Sequence, residues 1–173
     1  MTHAAPPDAQ LAALGKDPAL LAVTAAPPNL ETPLALLDAP LTLAARIFMR
    51  NHAPLPEVDP ARWSLTIGGL VRRPLRVSYA ELLAMPRRTV TAVLECSGNG
   101  RSAFGRDDLP PEELRWGQGA VACGEWAGAP IGPLLEAAGL EPGAVQAECI
   151  GAGAEPFVRG VEVEKLLSDG LLA

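Results

Sequence analysis

The chain has 173 residues, 49% of them hydrophobic but only 4% aromatic, with a net charge of −6 and a pI near 4.9. That length suits one domain burying roughly 70% of its unfolded surface. The acidic balance excludes nucleic acid and acidic lipid as main partners, because both select clustered Lys and Arg, and no apolar run approaches the ~18 residues of a membrane span.

Residues 1–29 are rich in Ala and Pro, and Pro6-Pro7, Pro18 and Pro27-Pro28 cut any helix short, which predicts a flexible tail. This stretch has no basic leader, twin Arg or continuous apolar core, so no export signal is read. A cytoplasmic location is expected, with a periplasmic one left open. An apolar stretch follows at Leu34–Leu37, and Thr42 is placed to cap a short helical turn.

Arg46-Ile47-Phe48-Met49-Arg50-Asn51-His52-Ala53-Pro54-Leu55-Pro56 sets a cation, an amide and an imidazole side by side before two prolines that force extended backbone. Three consecutive polar side chains cannot share one face of a strand, so at least one points to a ligand or a buried carbonyl. Taken alone, Arg50 and His52 read as surface or hydrogen-bonding structural residues more readily than as functional ones.

Trp63, Leu65 and Ile67 alternate with polar residues and predict a strand ended by Gly68-Gly69. Ser78-Tyr79-Ala80-Glu81 has the spacing of a capping box, with Pro86 as the stop of the short helix it opens. Arg72-Arg73 and Arg87-Arg88 read as solvated pairs flanking turns.

Val90–Glu95 predicts a β-branched strand that delivers Cys96 to the end of an apolar face shared with Val90, Ala92 and Leu94. Gly98-Asn99-Gly100 then turns the chain, closed by Arg101. The polar run from Ser102 to Gln118 is too long for a tight hairpin, and loops of that length are usually functional or disordered. A strand at Gly119–Trp126, a helix opened by Pro130 and ended by Gly139, and a strand at Ala144–Ile150 complete the pattern. Val161–Leu167 reads as helical or irregular, and Leu171-Leu172-Ala173 as the start of a strand. Uneven alternation of short strands and helices predicts an α+β fold with mixed sheets. No GxGxxG or Walker loop occurs, which disfavours nucleotide chemistry.

Cys96, Cys123 and Cys149 form no CxxC or Cys/His zinc pattern, and free thiols are expected. Cys123 and Cys149, mid-strand among apolar neighbours, are expected in the core.

Two segments together, Phe48–Pro56 and Leu94-Glu95-Cys96-Ser97-Gly98-Asn99-Gly100-Arg101, resemble the molybdopterin-binding domain of the sulfite oxidase family. Trp63–Gly69, Leu82–Pro86 and Glu125–Ile131 fit its pattern in the same order. The resemblance implies that residues 30–173 form a molybdopterin-binding oxidoreductase domain, incomplete at its C-terminal end. It implies a Mo-molybdopterin cofactor whose only protein ligand to the metal is Cys96, a soft thiolate suited to such a metal. Phe48, Arg50, Asn51 and His52 fall in the cofactor-binding segment. Arg50, Arg101 and Trp116 fall at the substrate pocket, where forked guanidiniums suit an oxyanion better than lysine. The implied reaction is oxygen-atom transfer to a sulfite-like oxyanion, giving sulfate, with electrons leaving to a separate acceptor such as a cytochrome. The family carries an Asp where this chain reads Gly151-Ala152-Gly153-Ala154-Glu155, and whether Glu155 substitutes is left open. Homodimerisation is expected only with the family's C-terminal domain. Two other readings stand beside this one: a thiol enzyme pairing Cys96 with His52 as base, and a catalytically silent fragment of the same fold.

Overall fold

A computed structural model describes residues 8–105, 113–153 and 156–173. Residues 1–7, the middle of the Ser102–Gln118 run and Glu155 lie outside the described residues. Among the described residues, nine short strands and four short helices give the expected α+β architecture with mixed sheets. The chain divides into two compact units, residues 1–55 with 91–125, and residues 56–90 with 126–173. Two of the three boundaries fall within strands, β5 (Arg88–Glu95) and β6 (Val121–Pro130).

The first unit opens with α1 (Asp8–Ala13) and a hairpin of β1 (Leu21–Ala25) and β2 (Pro28–Glu31), paired antiparallel from Leu21↔Glu31 to Ala25↔Pro28. This corrects the expectation of a flexible tail over the described part of residues 1–29. A six-residue helix has no stability of its own in water. It is held because Leu11 packs with Leu20 and Leu30 in one buried cluster, Leu30 being wholly inaccessible, and each such burial is worth about 1.5–3 kcal/mol. Prolines that forbid long helices do not forbid a short helix and a tight hairpin. Polar ties add to the packing: Lys16 Nζ donates to the carbonyls of Ala44 (3.1 Å) and Ile47 (2.9 Å), and Arg46 Nε to Asp17 Oδ2 at 3.0 Å. Partial burial pushes the Lys16 ammonium below its ordinary value.

Thr42 caps no helix. The 3-10 turn Ala44–Arg46 starts at Leu43 without a side-chain cap, and Thr42 Oγ1 accepts instead from the Cys123 amide at 3.3 Å.

In the second unit β3 (Ser64–Ile67) and β4 (Leu75–Ser78) form an antiparallel hairpin running straight into α2 (Tyr79–Ala84). The capping box is present in both directions: Glu81 N donates to Ser78 Oγ, and Ser78 N to the Glu81 carboxylate. Helix α3 (Gly132–Ala138) carries Pro133 in its first turn and ends at Gly139, with φ of 71°. Its Leu135 and Ala138 form a core with Ile67, backed by Leu65, Val71, Leu75, Leu134 and Leu166. Strands β7 (Gln146–Ile150) and β8 (Val158–Glu162) make a second hairpin, so the stretch expected as helical or irregular is strand to Glu162 and then α4 (Val163–Asp169). The last strand, β9 (Leu171–Leu172), joins the sheet in the order β5-β6-β9.

Three expectations about faces change. Cys149 is exposed, because the β7-β8 hairpin is a two-stranded sheet whose strand residues are mostly exposed. The face of β5 leading to Cys96 is exposed at Ala92 and Leu94, and Val93 on the other face is 66% exposed. The arginine pairs are not simply solvated: Arg73 and Arg88 donate to the carbonyls of Ala137 (2.7 Å) and Asp169 (2.6 Å), near the C-terminal ends of α3 and α4. Cations at those ends meet the unsatisfied carbonyls of the last turn.

Candidate active site

Strand β5 ends at Glu95, and the chain turns at once. The Cys96 amide donates to the Ala120 carbonyl (2.9 Å), Asn99 N returns to the Cys96 carbonyl (2.8 Å), and Arg101 N to that of Gly98 (3.1 Å). Gly100 sits at φ 80°, a left-handed conformation in which a side chain is strained. Its N–H reaches the Gly117 carbonyl at 2.6 Å, and Ser102 N that of Trp116 at 2.8 Å. The two ends of the long loop are thus pinned together. Asn99 braces the turn from both sides, its amide donating to Glu95 Oε1 (2.9 Å) and its Oδ1 accepting from Ala120 N (3.0 Å). Sequence reading took Asn99 only as a turn former; its role in clamping two segments rests on a partner 21 residues away.

Cys96 is half-buried, its side chain packed against a cluster of Phe48, Trp116, Ala120 and Ala122. Phe48 and Trp116 meet edge to face, ring centroids 6.2 Å apart and planes at 80°. Trp116 is 1% exposed. The indole is packed into the wall behind the thiol. Phe48, also buried, contributes the same way.

The second group of expected site residues hangs on the N-terminal hairpin. Met49 and Leu30 exchange both backbone bonds, at 2.9 and 2.8 Å. Buried Asn29 accepts the Asn51 amide on Oδ1 at 2.6 Å, and Asn51 Nδ2 donates to the Pro28 carbonyl at 2.5 Å. Asn51 is therefore tied to the hairpin through both its backbone and its side chain. Arg50 donates to the Asn51 carbonyl, and its Nη2 lies 3.0 Å from His52 Nδ1. His52 is exposed at the end of this run, and its bond to Arg50 gives no support to a Cys96–His52 nucleophile and base.

The same hairpin grips the loop that carries Trp116. Gly117 N donates to Glu31 Oε2 (2.6 Å) and Thr32 N to the Gly119 carbonyl (3.0 Å). Approach there is so close that a Cβ on Gly119 would lie 1.9 Å from the Thr32 carbonyl oxygen. Buried Thr32 completes the clasp by donating its hydroxyl to the Arg46 carbonyl at 2.6 Å. Sequence reading missed Asn29, Glu31 and Thr32, which lie in the Pro-rich stretch and act only through partners distant along the chain. Both motifs thus lie in the first unit, joined through β2 and the Phe48–Trp116 pair.

Arg101 lies over Gly98, where a Cβ would be 3.0 Å from its Cζ, and forms an ion pair with Glu113. Among the described residues no group of three or more His, Cys, Asp or Glu side chains comes together.

The oxidoreductase molybdopterin binding domain model matches residues 52–173. The chain belongs to that family. It is 39% identical over 141 residues to sulfite oxidase of Gallus gallus, covering 79% of this chain and 30% of that protein. It is 32% identical over 133 residues to a nitrate reductase of Oryza sativa, covering 73% of this chain and 14% of that protein. The sulfane dehydrogenase SoxCD of Paracoccus pantotrophus superposes with a TM-score of 0.71 at 32% identity, over 82% of this chain and 36% of that one. The chain thus spans about a third or less of each of these relatives. As a molybdopterin binding domain it is an oxidoreductase domain whose cofactor is Mo-molybdopterin. Among the described residues no helix is long and apolar enough to cross a membrane.

Proposed function

We propose that this domain serves oxygen-atom transfer to sulfite, giving sulfate, with two electrons passed on to a separate acceptor such as a cytochrome. The observation that carries the reading is the half-exposed Cys96 thiol at a strand end, with Arg101 in the same turn. The likenesses to sulfite oxidases and to the sulfane dehydrogenase SoxCD support a reduced-sulfur substrate.

When bound, the cofactor supplies the two-electron chemistry that a protein side chain cannot. The chain supplies position and charge. Cys96 is held by its backbone bond to Ala120 and by the Asn99 brace, so the thiolate is presented at a fixed point as the metal ligand. The Phe48–Trp116 wall keeps water off one side of it. Arg50, Asn51 and His52 are the residues we assign to the pterin. Arg101 provides the forked cation for a doubly charged oxyanion.

The test is the protein made in a host that assembles the cofactor. Cys96→Ser should fold as the parent does by circular dichroism yet show one sulfur fewer in the molybdenum shell by X-ray absorption. An unchanged sulfur count in that variant would remove Cys96 as ligand. Assaying sulfite oxidation beside nitrate reduction in a chain extended to the relatives' length separates the two activities seen among them.

A further inference from the structure

The Arg101 guanidinium is not open. Its Nη1 is engaged by the Glu113 carboxylate, with the Leu114 carbonyl 3.5 Å away, and its plane lies against the bare backbone of Gly98. Glu113 stands 12 residues on, across the loop whose ends are pinned by the Gly100–Gly117 and Ser102–Trp116 bonds. Loop closure therefore delivers a carboxylate to this cation. We infer that Glu113 is a built-in counter-ion which occupies Arg101 when no substrate is present and which an incoming oxyanion must displace. This rests on the reading of Arg101 as the oxyanion cation.

The exposure of the pair sets the energetics. The side chains of Arg101 and Glu113 are 25% and 41% exposed, so water screens the attraction and the pair is easily opened. Exposed pairs of this kind are weak. A dianion meets the guanidinium with twice the Coulomb energy of a monoanion at the same distance, and can replace the carboxylate with a bidentate contact of its own. A monoanion such as chloride gains less from the exchange. Glu113 thus competes with every anion for the cation, least effectively with a dianion, and it spares an empty site an uncompensated positive charge.

The experiment uses the full 173-residue chain without turnover, with sulfate as the probe, by titration calorimetry at low ionic strength. Glu113→Gln removes the charge but keeps a hydrogen-bonding partner of similar size; it should bind sulfate roughly fivefold more tightly than the parent, the factor set by losing one exposed ion pair. Glu113→Ala should do the same, and both should unfold in urea near the parent midpoint. Arg101→Gln should bind sulfate weakly whichever residue stands at 113. Unchanged or weaker binding in both Glu113 variants overturns the inference, since it would mean that the carboxylate orients Arg101 rather than competing for it. If Arg101→Gln binds sulfate as well as the parent, Arg101 is not the oxyanion residue and the underlying reading falls as well. Absence of sulfate binding by parent and Glu113 variants alike overturns both.

Discussion

Asn99 shows how one side chain fixes the geometry of a neighbouring ligand. Its two bonds span Glu95, before the thiol, and Ala120, whose carbonyl in turn receives the Cys96 amide. Removing it leaves the part-buried Ala120 N–H without its acceptor, and an unsatisfied buried donor costs about 1–3 kcal/mol. Asn99→Ala should lower unfolding free energy by that amount in urea titrations and reduce molybdenum uptake in the folded fraction. Asn99→Asp keeps the acceptor for Ala120 but sets a second carboxylate against Glu95, so its stability deficit should shrink as the pH is lowered through the carboxylate range. At this scale the turn from Cys96 to Arg101 was legible because two glycines flanking an Asn at a strand end are a local pattern. Glu113 was not, since which carboxylate meets which cation depends on how the loop closes. Nor was the sinking of Trp116, because an indole after a long loop reads equally well as pocket lining or as core.

Elements were readable where their signals are local. The α2 capping box, the glycine stop of α3 and the strand before Gly68-Gly69 all lie within a few residues of the structure they specify. Ser78→Ala should cost about 1 kcal/mol, the usual worth of an N-cap, measured as a shifted urea midpoint with unchanged slope. The same cap responds to acid. Hydrogen bonds from the Ser78 hydroxyl and then its backbone N–H hold the Glu81 carboxyl below its ordinary value. The folded value being the lower one, this stabilisation is complete above the usual Glu range and is lost as pH falls through the depressed value. In Ser78→Ala the hydroxyl's share of that acid sensitivity should vanish, while the share from the backbone N–H remains. Hidden elements were those specified from afar. The β1-β2 hairpin lies in a stretch whose composition speaks only of helix breaking, while its reason to exist, the Leu11–Leu20–Leu30 cluster and the seat it gives Met49, is invisible to a local window. Alternation likewise told which residues of β7 share a face, but not whether anything covers that face; Cys149 is exposed for that reason.

Across the molecule, both motifs that carry the proposed chemistry depend on β2. Its Asn29 and Leu30 hold residues 49–51, and its Glu31, with Thr32 just beyond, holds the loop from Gly117 to Gly119. Leu30→Ala should cost about 2–5 kcal/mol, the range for emptying a well-packed leucine site, and should lower molybdenum content beyond what the unfolded fraction explains. Unchanged metal content per folded molecule would show that the hairpin is only a prop. The family model begins at His52, some twenty residues after this clasp. A gene trimmed to the stretch which that model covers would keep the thiol and discard the frame that holds it, so primers for an expression fragment belong ahead of Asp8 rather than at the edge of that match.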